Sequence, residues 1–356
     1  MQFARQHRRS VFHLFNVGPL FLLAIRLAGV SRVVYSIRGT VYWHNRVERV
    51  VLKSIWRMAI DSGRHIFTSN SEYSGNVFNE NIDSKVNCRL LYNYCDSGRF
   101  KIKAESEDPR GTSKIIYVGR LTAGKGLEEW LRVAVELHPD FPAICFEIYG
   151  SGRLEEMLKL HIEEKGASSY ISMHGHRNDI ENVYRDADLL LFLSERESFG
   201  NVAVESILCG TPVLVSDIPS MREIFRDYPE FILRKDTSIT EQIRISLQKI
   251  KDLKTRTLDA RHQFEQRFSM DSHVKTLAEI YRRFDASLMF SYENMMYPYG
   301  SYKREDNFYR IRPAITCMIT EKLFSTLWYQ FKTRQSNIED MKYTDNMVGL
   351  NIKLSF

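Results

Sequence analysis

Two glutamates, Glu197 and Glu205, and two cations, Arg120 and Lys125, are the residues of this chain whose types and spacing can do chemistry. The glutamates stand in Glu197-Ser198-Phe199-Gly200-Asn201-Val202-Ala203-Val204-Glu205, directly past the apolar run Leu189-Leu190-Leu191-Phe192-Leu193, which reads as a buried strand. A strand, a glycine-containing turn and a new helix leave carboxylates and free backbone N–H groups at the carboxyl edge of a parallel sheet. Open α/β sheets bind their ligands at that edge. Glu197 then sits in the loop and Glu205 about two turns into the helix, both able to face one crevice. A cap and a solvated helix face is the competing reading. The cations stand in Gly119-Arg120-Leu121-Thr122-Ala123-Gly124-Lys125-Gly126, between a strand ending at Val118 and a helix opening at Leu127. Glycines let backbone N–H groups approach an anion, and two positive charges beside a helix N-terminus make a diphosphate site; a solvated turn has the same composition. Gly150-Ser151-Gly152 is a second glycine-rich turn, with tight packing as its alternative. His174-Gly175-His176-Arg177 follows another strand. Two histidines suggest a metal, but with no third ligand nearby the spacing favours turn residues lining a nucleotide pocket.

An alternation of strands and helices positions these loops. Strands are predicted at Ile115 to Val118, Ile144 to Tyr149, Tyr170 to Met173, Leu189 to Leu193, Val213 to Ser216 and Phe231 to Leu233, with amphipathic helices between them and three more from Ser238 to Asp285. Strands spaced by helices give a parallel sheet covered on both faces. Upstream, Val11 to Phe15, a turn at Gly18-Pro19, a helix to Ala28 and Val33 to Ile37 form a β-α-β unit. A helix from Arg46 to Asp61, a strand at His65 to Thr68, a helix from Ser71 to Asn79 and a short strand at Arg89 to Tyr92 follow. Asp96 to Ser113, with its charges, Pro109 and Gly111, reads as the link between domains. The expected fold class is α/β with two Rossmann-like domains: an incomplete first one over 1–100, a linker over 101–112, a full doubly wound parallel sheet over 113–285, and a tail of unknown structure over 286–356.

At 356 residues, 44% hydrophobic and 26% charged, the chain has the composition of a soluble protein of two ordinary domains. Its net charge of +6 favours anionic partners, whether phosphorylated ligands, acidic lipid surfaces or nucleic acid, and selects none of them. Five cysteines without paired metal spacing fit a reduced cytosolic protein. Arg5, Arg8 and Arg9 before Val11 to Ala28 imitate a signal peptide or anchor, but His13, Asn16, Gly18, Pro19 and Arg26 leave no span of about twenty apolar residues.

Gly119-Arg120-Leu121 with Lys125-Gly126, Tyr149-Gly150-Ser151-Gly152, the run from Ala187 to Ser194, and Glu197 through Glu205 closing on Gly210-Thr211-Pro212-Val213 together resemble the family-4 retaining glycosyltransferases of the GT-B fold. The resemblance runs from Val11 to Phe284 and takes in His65 to Ser71 and Leu91-Tyr92-Asn93 with Asp96. It implies a nucleotide-diphosphate sugar as co-substrate, with no cofactor or metal, and a glycan or polyprenyl-linked acceptor rather than nucleic acid. It implies catalytic roles for Arg120, Lys125 and Glu197. The two cations would take the charge that grows on the diphosphate, substituting for a divalent metal, and Glu197 would accept hydrogen bonds from the transferred sugar. Glu205 would accept from the ribose, and Gly119, Gly150, Gly152, His176, Arg177, Ser198, Phe199, Gly200 and Asn201 would complete the donor site, with Arg38 and Gly39 on the acceptor side. Retention would follow from front-face attack, the leaving phosphate oxygen taking the acceptor proton. The implied setting is synthesis of a bacterial surface polysaccharide such as lipopolysaccharide or capsule, in the cytoplasm at the inner face of the membrane.

The chain also departs from that family. It opens at what resembles the fourth strand of the usual first domain, so about seventy residues of such a domain are expected to be missing. Arg38 stands where many relatives carry a histidine, and a guanidinium suits phosphate or an acidic sugar. Asp217-Ile218-Pro219-Ser220-Met221-Arg222-Glu223 lacks the paired glycines relatives often have there. A non-catalytic nucleotide-sugar-binding remnant is therefore the alternative function; a phosphorylase, recognisable by dependence on orthophosphate, is a third. The tail, with Tyr292, Tyr297, Tyr299, Tyr302, Lys303 and Arg304 and an apolar stretch from Ile315 to Phe331 that includes Trp328, suits an anionic membrane surface, a packed extension or disorder.

Overall fold

The computed structural model describes residues 4–5, 10–40, 45–61, 63–82, 86–102, 113–282, 286–299, 302–320, 323–336 and 343–354, the last four segments by their backbone. Contacts divide the chain into one unit of Met1–Tyr35, Ser54–Ile66 and Val274–Phe356 and another of Ser36–Lys53 and Phe67–His273.

The first sheet has the order β1-β2-β3-β4, with β1 at Phe12–Phe15, β2 at Val33–Ile37, β3 at His65–Ser69 and β4 at Cys88–Leu90. Every residue of β2 and β3 is buried, as a strand covered on both faces requires. Helix α1 (Pro19–Leu27) opens on a proline, whose missing N–H lies at a position without an intrahelical partner anyway. Helix α2 (Arg46–Ala59) buries Trp56, which stands edge-on to Tyr35 with ring centroids 5.4 Å apart. Helix α3 (Glu72–Ile82) follows β3. The short strand expected at Arg89 to Tyr92 lies one residue earlier and stops at Leu90. Leu91 still donates to Ser69 O at 2.8 Å, but Tyr92 turns out of the ladder and packs edge-on against Phe268.

The second sheet matches the predicted alternation closely. Strands β5 (Ser113–Val118), β6 (Ile144–Tyr149), β7 (Ile171–Gly175), β8 (Leu189–Phe192), β9 (Val213–Ser216) and β10 (Ile232–Leu233) pair in the order β10-β9-β8-β5-β6-β7. Every pairing is parallel, with Ile115 and Ile116 of β5 beside Leu189 and Leu190 of β8. The chain runs outward from β5 through β6 to β7, returns to β8, and then runs the other way. The carboxyl ends of β5 and β8 therefore flank a topological switch point, where the loops leaving adjacent strands diverge and open a crevice. Helices α4 (Leu127–Leu137), α5 (Glu155–Glu164), α6 (Ile180–Arg185), α7 (Asn201–Leu208) and α8 (Pro219–Ile224) connect the strands. Trp130 of α4 is fully buried and stands edge-on to Phe146 of β6. The three helices predicted after Ser238 are α9 (Ile239–Gln248), α10 (Ile250–Arg267) and α11 (Met270–Arg282). Ser238 caps α9 by accepting the Glu241 N–H at 3.3 Å.

The tail forms a third sheet, whose order is β11-β12-β13-β14, with strands at Ala286–Tyr299, Tyr302–Thr320, Leu323–Ser336 and Tyr343–Leu354. All three pairings are antiparallel, and the apolar stretch is folded on itself, Ile315 lying opposite Leu327 and Ile311 opposite Phe331.

Candidate active site

The loops at the switch point are stitched together by backbone groups. Gly119 N donates to Tyr149 O at 3.0 Å and Leu121 N to Ser151 O at 2.9 Å, joining the loop after β5 to the loop after β6. Glu195 N donates to Gly124 O at 3.1 Å, joining the loop after β8 to the same segment. Two glycines permit this approach. A Cβ on Gly150, whose φ is +144°, would lie 1.8 Å from Gly119 O, and one on Gly126, whose φ is +68°, would lie 1.9 Å from Leu193 O. No side chain fits either position. Gly152 has a packing reason of the same kind, since its Cβ would fall 2.3 Å from Leu121 O. Gly126 and Gly200 each precede a helix, α4 and α7, so two helix N-termini with their unpaired N–H groups begin at this edge.

Two of the residues singled out in the sequence meet here. Lys125 Nζ donates to Glu197 Oε1, and the two side chains are only 19% and 15% exposed. Glu205 lies on α7, where its Oε2 accepts from the fully buried Tyr184 hydroxyl at 2.9 Å. A buried phenol must find an acceptor, so Tyr184 both supports Glu205 and is satisfied by it. Arg120 is exposed, and its carbonyl is held by the Tyr117 hydroxyl at 3.0 Å.

Burial raises the Glu205 carboxyl pKa above its ordinary value of 4.5, against the Tyr184 hydrogen bond and the Arg99 charge, which favour the ionised form. A carboxyl raised on folding contributes stability that is complete below its unfolded pKa and is lost as pH rises through the folded one. Wild type therefore loses more stability than Glu205→Gln as pH climbs above 4.5. Urea midpoints measured across that window check it, and parallel curves for the two proteins would refute it.

The loop after β8 is held by residues from upstream in the chain. Ser198 Oγ donates to Arg38 O at 3.0 Å and accepts from Asn70 Nδ2 at 3.3 Å. Asn201 Oδ1 accepts from Asn93 Nδ2 at 2.8 Å, and Asn93 Oδ1 in turn accepts from Arg38. The structure thus gathers Arg38, Ser198 and Asn201, with Gly39 adjoining, and adds Asn70 and Asn93, to which sequence reasoning gave no role. The signal for Asn70 is its place between a buried strand and Ser71, which caps α3 by accepting the Ser74 N–H at 2.9 Å. Burial lowers the Arg38 guanidinium below its ordinary value. Phe199 faces inward, its ring 6.0 Å from Tyr92 and 5.3 Å from Phe268, so its side chain anchors the loop. Arg267 fastens that cluster, donating to the Tyr92 hydroxyl at 2.7 Å and to Ile224 O at 3.1 Å.

Glu223 acquires a definite role. Its carboxylate accepts the N–H groups of Glu72 and Tyr73 at 2.8 and 3.1 Å, capping α3 from α8. A carboxylate there satisfies orphan donors and complements the helix dipole. Glu223→Ala is expected to cost about 1 kcal/mol, read as a lower urea midpoint, with Glu223→Gln recovering part of it. His176 and Arg177 lie on the surface, Arg177 making a two-point pair with Asp179 at 2.9 and 2.8 Å. His174 stacks on Tyr149 at 4.8 Å. Among the described residues no group of three or more His, Cys, Asp or Glu is arranged to hold a metal ion.

Residues 98–267 match the family model described as glycosyl transferases group 1. The chain is 31% identical over 121 residues to the UDP-N-acetylglucosamine--peptide N-acetylglucosaminyltransferase GtfA subunit of Streptococcus gordonii, covering 34% of this chain and 24% of that protein. It is 30% identical over 145 residues to the N-acetylgalactosamine-N,N'-diacetylbacillosaminyl-diphospho-undecaprenol 4-alpha-N-acetylgalactosaminyltransferase of Campylobacter jejuni, covering 40% of this chain and 39% of that protein. The likeness thus spans between a quarter and two fifths of these relatives' lengths. Among solved structures, Anabaena HepE in complex with UDP superposes with a TM-score of 0.66 at 18% identity, covering 79% of this chain and 81% of that one. The fold is that of the GT-B glycosyltransferases, with two Rossmann-like domains.

Proposed function

We propose that the chain transfers a sugar from a nucleotide-diphosphate sugar, with uridine as the base, to a lipid-linked or glycan acceptor in surface polysaccharide synthesis, with retention of configuration. The observation that carries this reading is the convergence of Lys125, Glu197 and the two helix N-termini at the switch point, with Glu205 on the helix that begins there. N–H groups at the starts of α4 and α7 suit a diphosphate, and Arg120 and Lys125 add the charge that a leaving phosphate needs as the glycosidic bond breaks. Glu205, fixed by Tyr184, suits the ribose hydroxyls, while Glu197 suits those of the sugar. Arg38, Asn70 and Asn93 bound the acceptor side. Uridine is supported by the GtfA relative's name and by the UDP in HepE, and a lipid-linked acceptor by the diphospho-undecaprenol in the name of the Campylobacter relative; such an acceptor would be met by contact with a membrane face. With two cations on the diphosphate, the transfer needs no divalent metal.

Calorimetry with UDP, GDP, ADP and their sugar conjugates tests the donor. UDP and one UDP-sugar bind, and binding persists in chelator. Transfer to a polyprenyl-diphosphate sugar, with the anomeric configuration of the product read by NMR, tests the rest. Failure of every nucleotide to bind refutes the reading, whereas binding without transfer to any acceptor leaves the non-catalytic alternative.

A further inference from the structure

Helix α2 carries two apolar stripes, and the core uses one. Trp56 and Ala59 are buried along one face. At about 100° per residue, Val47, Val50, Val51 and Met58 fall on a second stripe well away from the first, and they are 72%, 61%, 50% and 55% exposed. Arg46, Arg49, Lys53 and Arg57 recur at helical spacing and form a row between the two stripes, while Glu48 is the helix's single acid. A helix of a water-soluble domain buries one stripe and presents polar residues elsewhere. An outward apolar row flanked by cations is instead the pattern of a helix lying in a lipid headgroup layer. Helix α1 adjoins its end: Arg26 donates to Met58 O at 2.6 Å and Ile60 O at 2.7 Å, and α1 itself exposes Leu20 and Leu27. Among the described residues no helix is long and apolar enough to cross a membrane, so α2 would rest on one rather than span it.

We infer that the outer face of α2 docks on an anionic lipid surface, the valines and Met58 entering the headgroup boundary while the four cations meet lipid phosphates. The main rival occupant is a second copy of this chain, but an antiparallel two-fold pairing through α2 brings two rows of four like charges together. The inference takes only its partner class from the membrane contact proposed above and needs neither donor nor acceptor.

Flotation of the full chain with vesicles tests it. At about 0.1 M salt, vesicles containing phosphatidylglycerol carry the protein up, vesicles of phosphatidylcholine alone do not, and raised salt releases it. Arg46→Gln/Arg49→Gln/Arg57→Gln lowers the vesicle-bound to free ratio at least tenfold, since each cation near such a surface contributes several-fold. Val47→Asn/Val51→Asn lowers it comparably while leaving UDP binding by calorimetry unchanged, which shows that the fold survives. Equal binding to both vesicle types, or binding kept by both variants, overturns the inference. A dimer that Val47→Asn/Val51→Asn dissolves, with no vesicle binding by wild type, gives the face to a second copy instead. Loss of UDP binding in wild type would refute the donor reading and leave the flotation result standing.

Discussion

Lys125→Ala is expected to lower transfer by about a hundred- to a thousandfold, the usual consequence of removing one preorganised donor to developing charge. Two losses coincide in this change. The ammonium no longer meets the diphosphate, and Glu197, only 15% exposed, loses the cation that holds it at the crevice. Because ionic groups in contact do not act additively, the pair separates by a cycle. If Lys125 acts only by placing Glu197, then Lys125→Ala/Glu197→Gln is no slower than Glu197→Gln alone. If it also stabilises the leaving diphosphate, the double variant is slower still. UDP affinity gives a second readout, falling in Lys125→Ala and holding in Glu197→Gln. A less than threefold drop in single-turnover transfer by Lys125→Ala would remove the residue from the mechanism.

Gly126→Ala is the substitution with the largest expected effect on stability, about 3 kcal/mol or more. A left-handed backbone costs about 1 kcal/mol once a Cβ is present, and a Cβ 1.9 Å from Leu193 O forces the loop after β8 away from the loop after β5, an overpacking cost of about 1–3 kcal/mol. Gly166→Ala supplies the control. Its φ of +64° is nearly the same as the +68° of Gly126, but nothing lies within 4 Å of the added Cβ. The difference between the two urea midpoints therefore isolates the close approach from the backbone term, and equal midpoints would show that the loops can part without strain. Because the displaced loop carries Glu197, Gly126→Ala should also lose transfer, while Gly166→Ala retains it.

The parts of this molecule that could be read from the sequence are those whose causes are local. Leu189 to Phe192 is uninterrupted apolar because β8 is covered on both faces, so its period cannot be mistaken for a surface element. The glycines at 126 and 200 mark where a strand gives way to a helix. What could not be read was anything set by the order of strands. That β5 and β8 are neighbours, and therefore that Lys125 reaches Glu197, follows from the return crossover and not from either loop. Asn70 and Asn93 fall in stretches that carry the family resemblance but received no role, because asparagine is common in loops and their partners Ser198 and Asn201 lie more than a hundred residues downstream. That the Phe199 ring turns toward Tyr92 and Phe268 could not be read either, since both partners lie far from it in the chain. Glu223 gave no sign of its task, since the helix it caps begins at Glu72. In the tail, aromatic, basic and apolar residues are mixed too evenly for either period to dominate, and four antiparallel strands came from a stretch whose structure the sequence left open.

The clasp on Tyr92 has a consequence for how such a protein can be divided or recombined. Tyr92 precedes the segment that carries the glycosyl transferases group 1 match, yet its hydroxyl is held by Arg267, the last residue of that match, and its ring by Phe268 just beyond. The part of the chain that carries the family match is therefore not a cassette that can be lifted out at its upstream boundary. Grafted onto a foreign partner, it would leave Phe199 without one wall and Arg267 without one of its acceptors. Exchange of this segment between related chains, in the laboratory or in the course of descent, must carry the short segment around Tyr92 together with the end of α10, or substitute both at once.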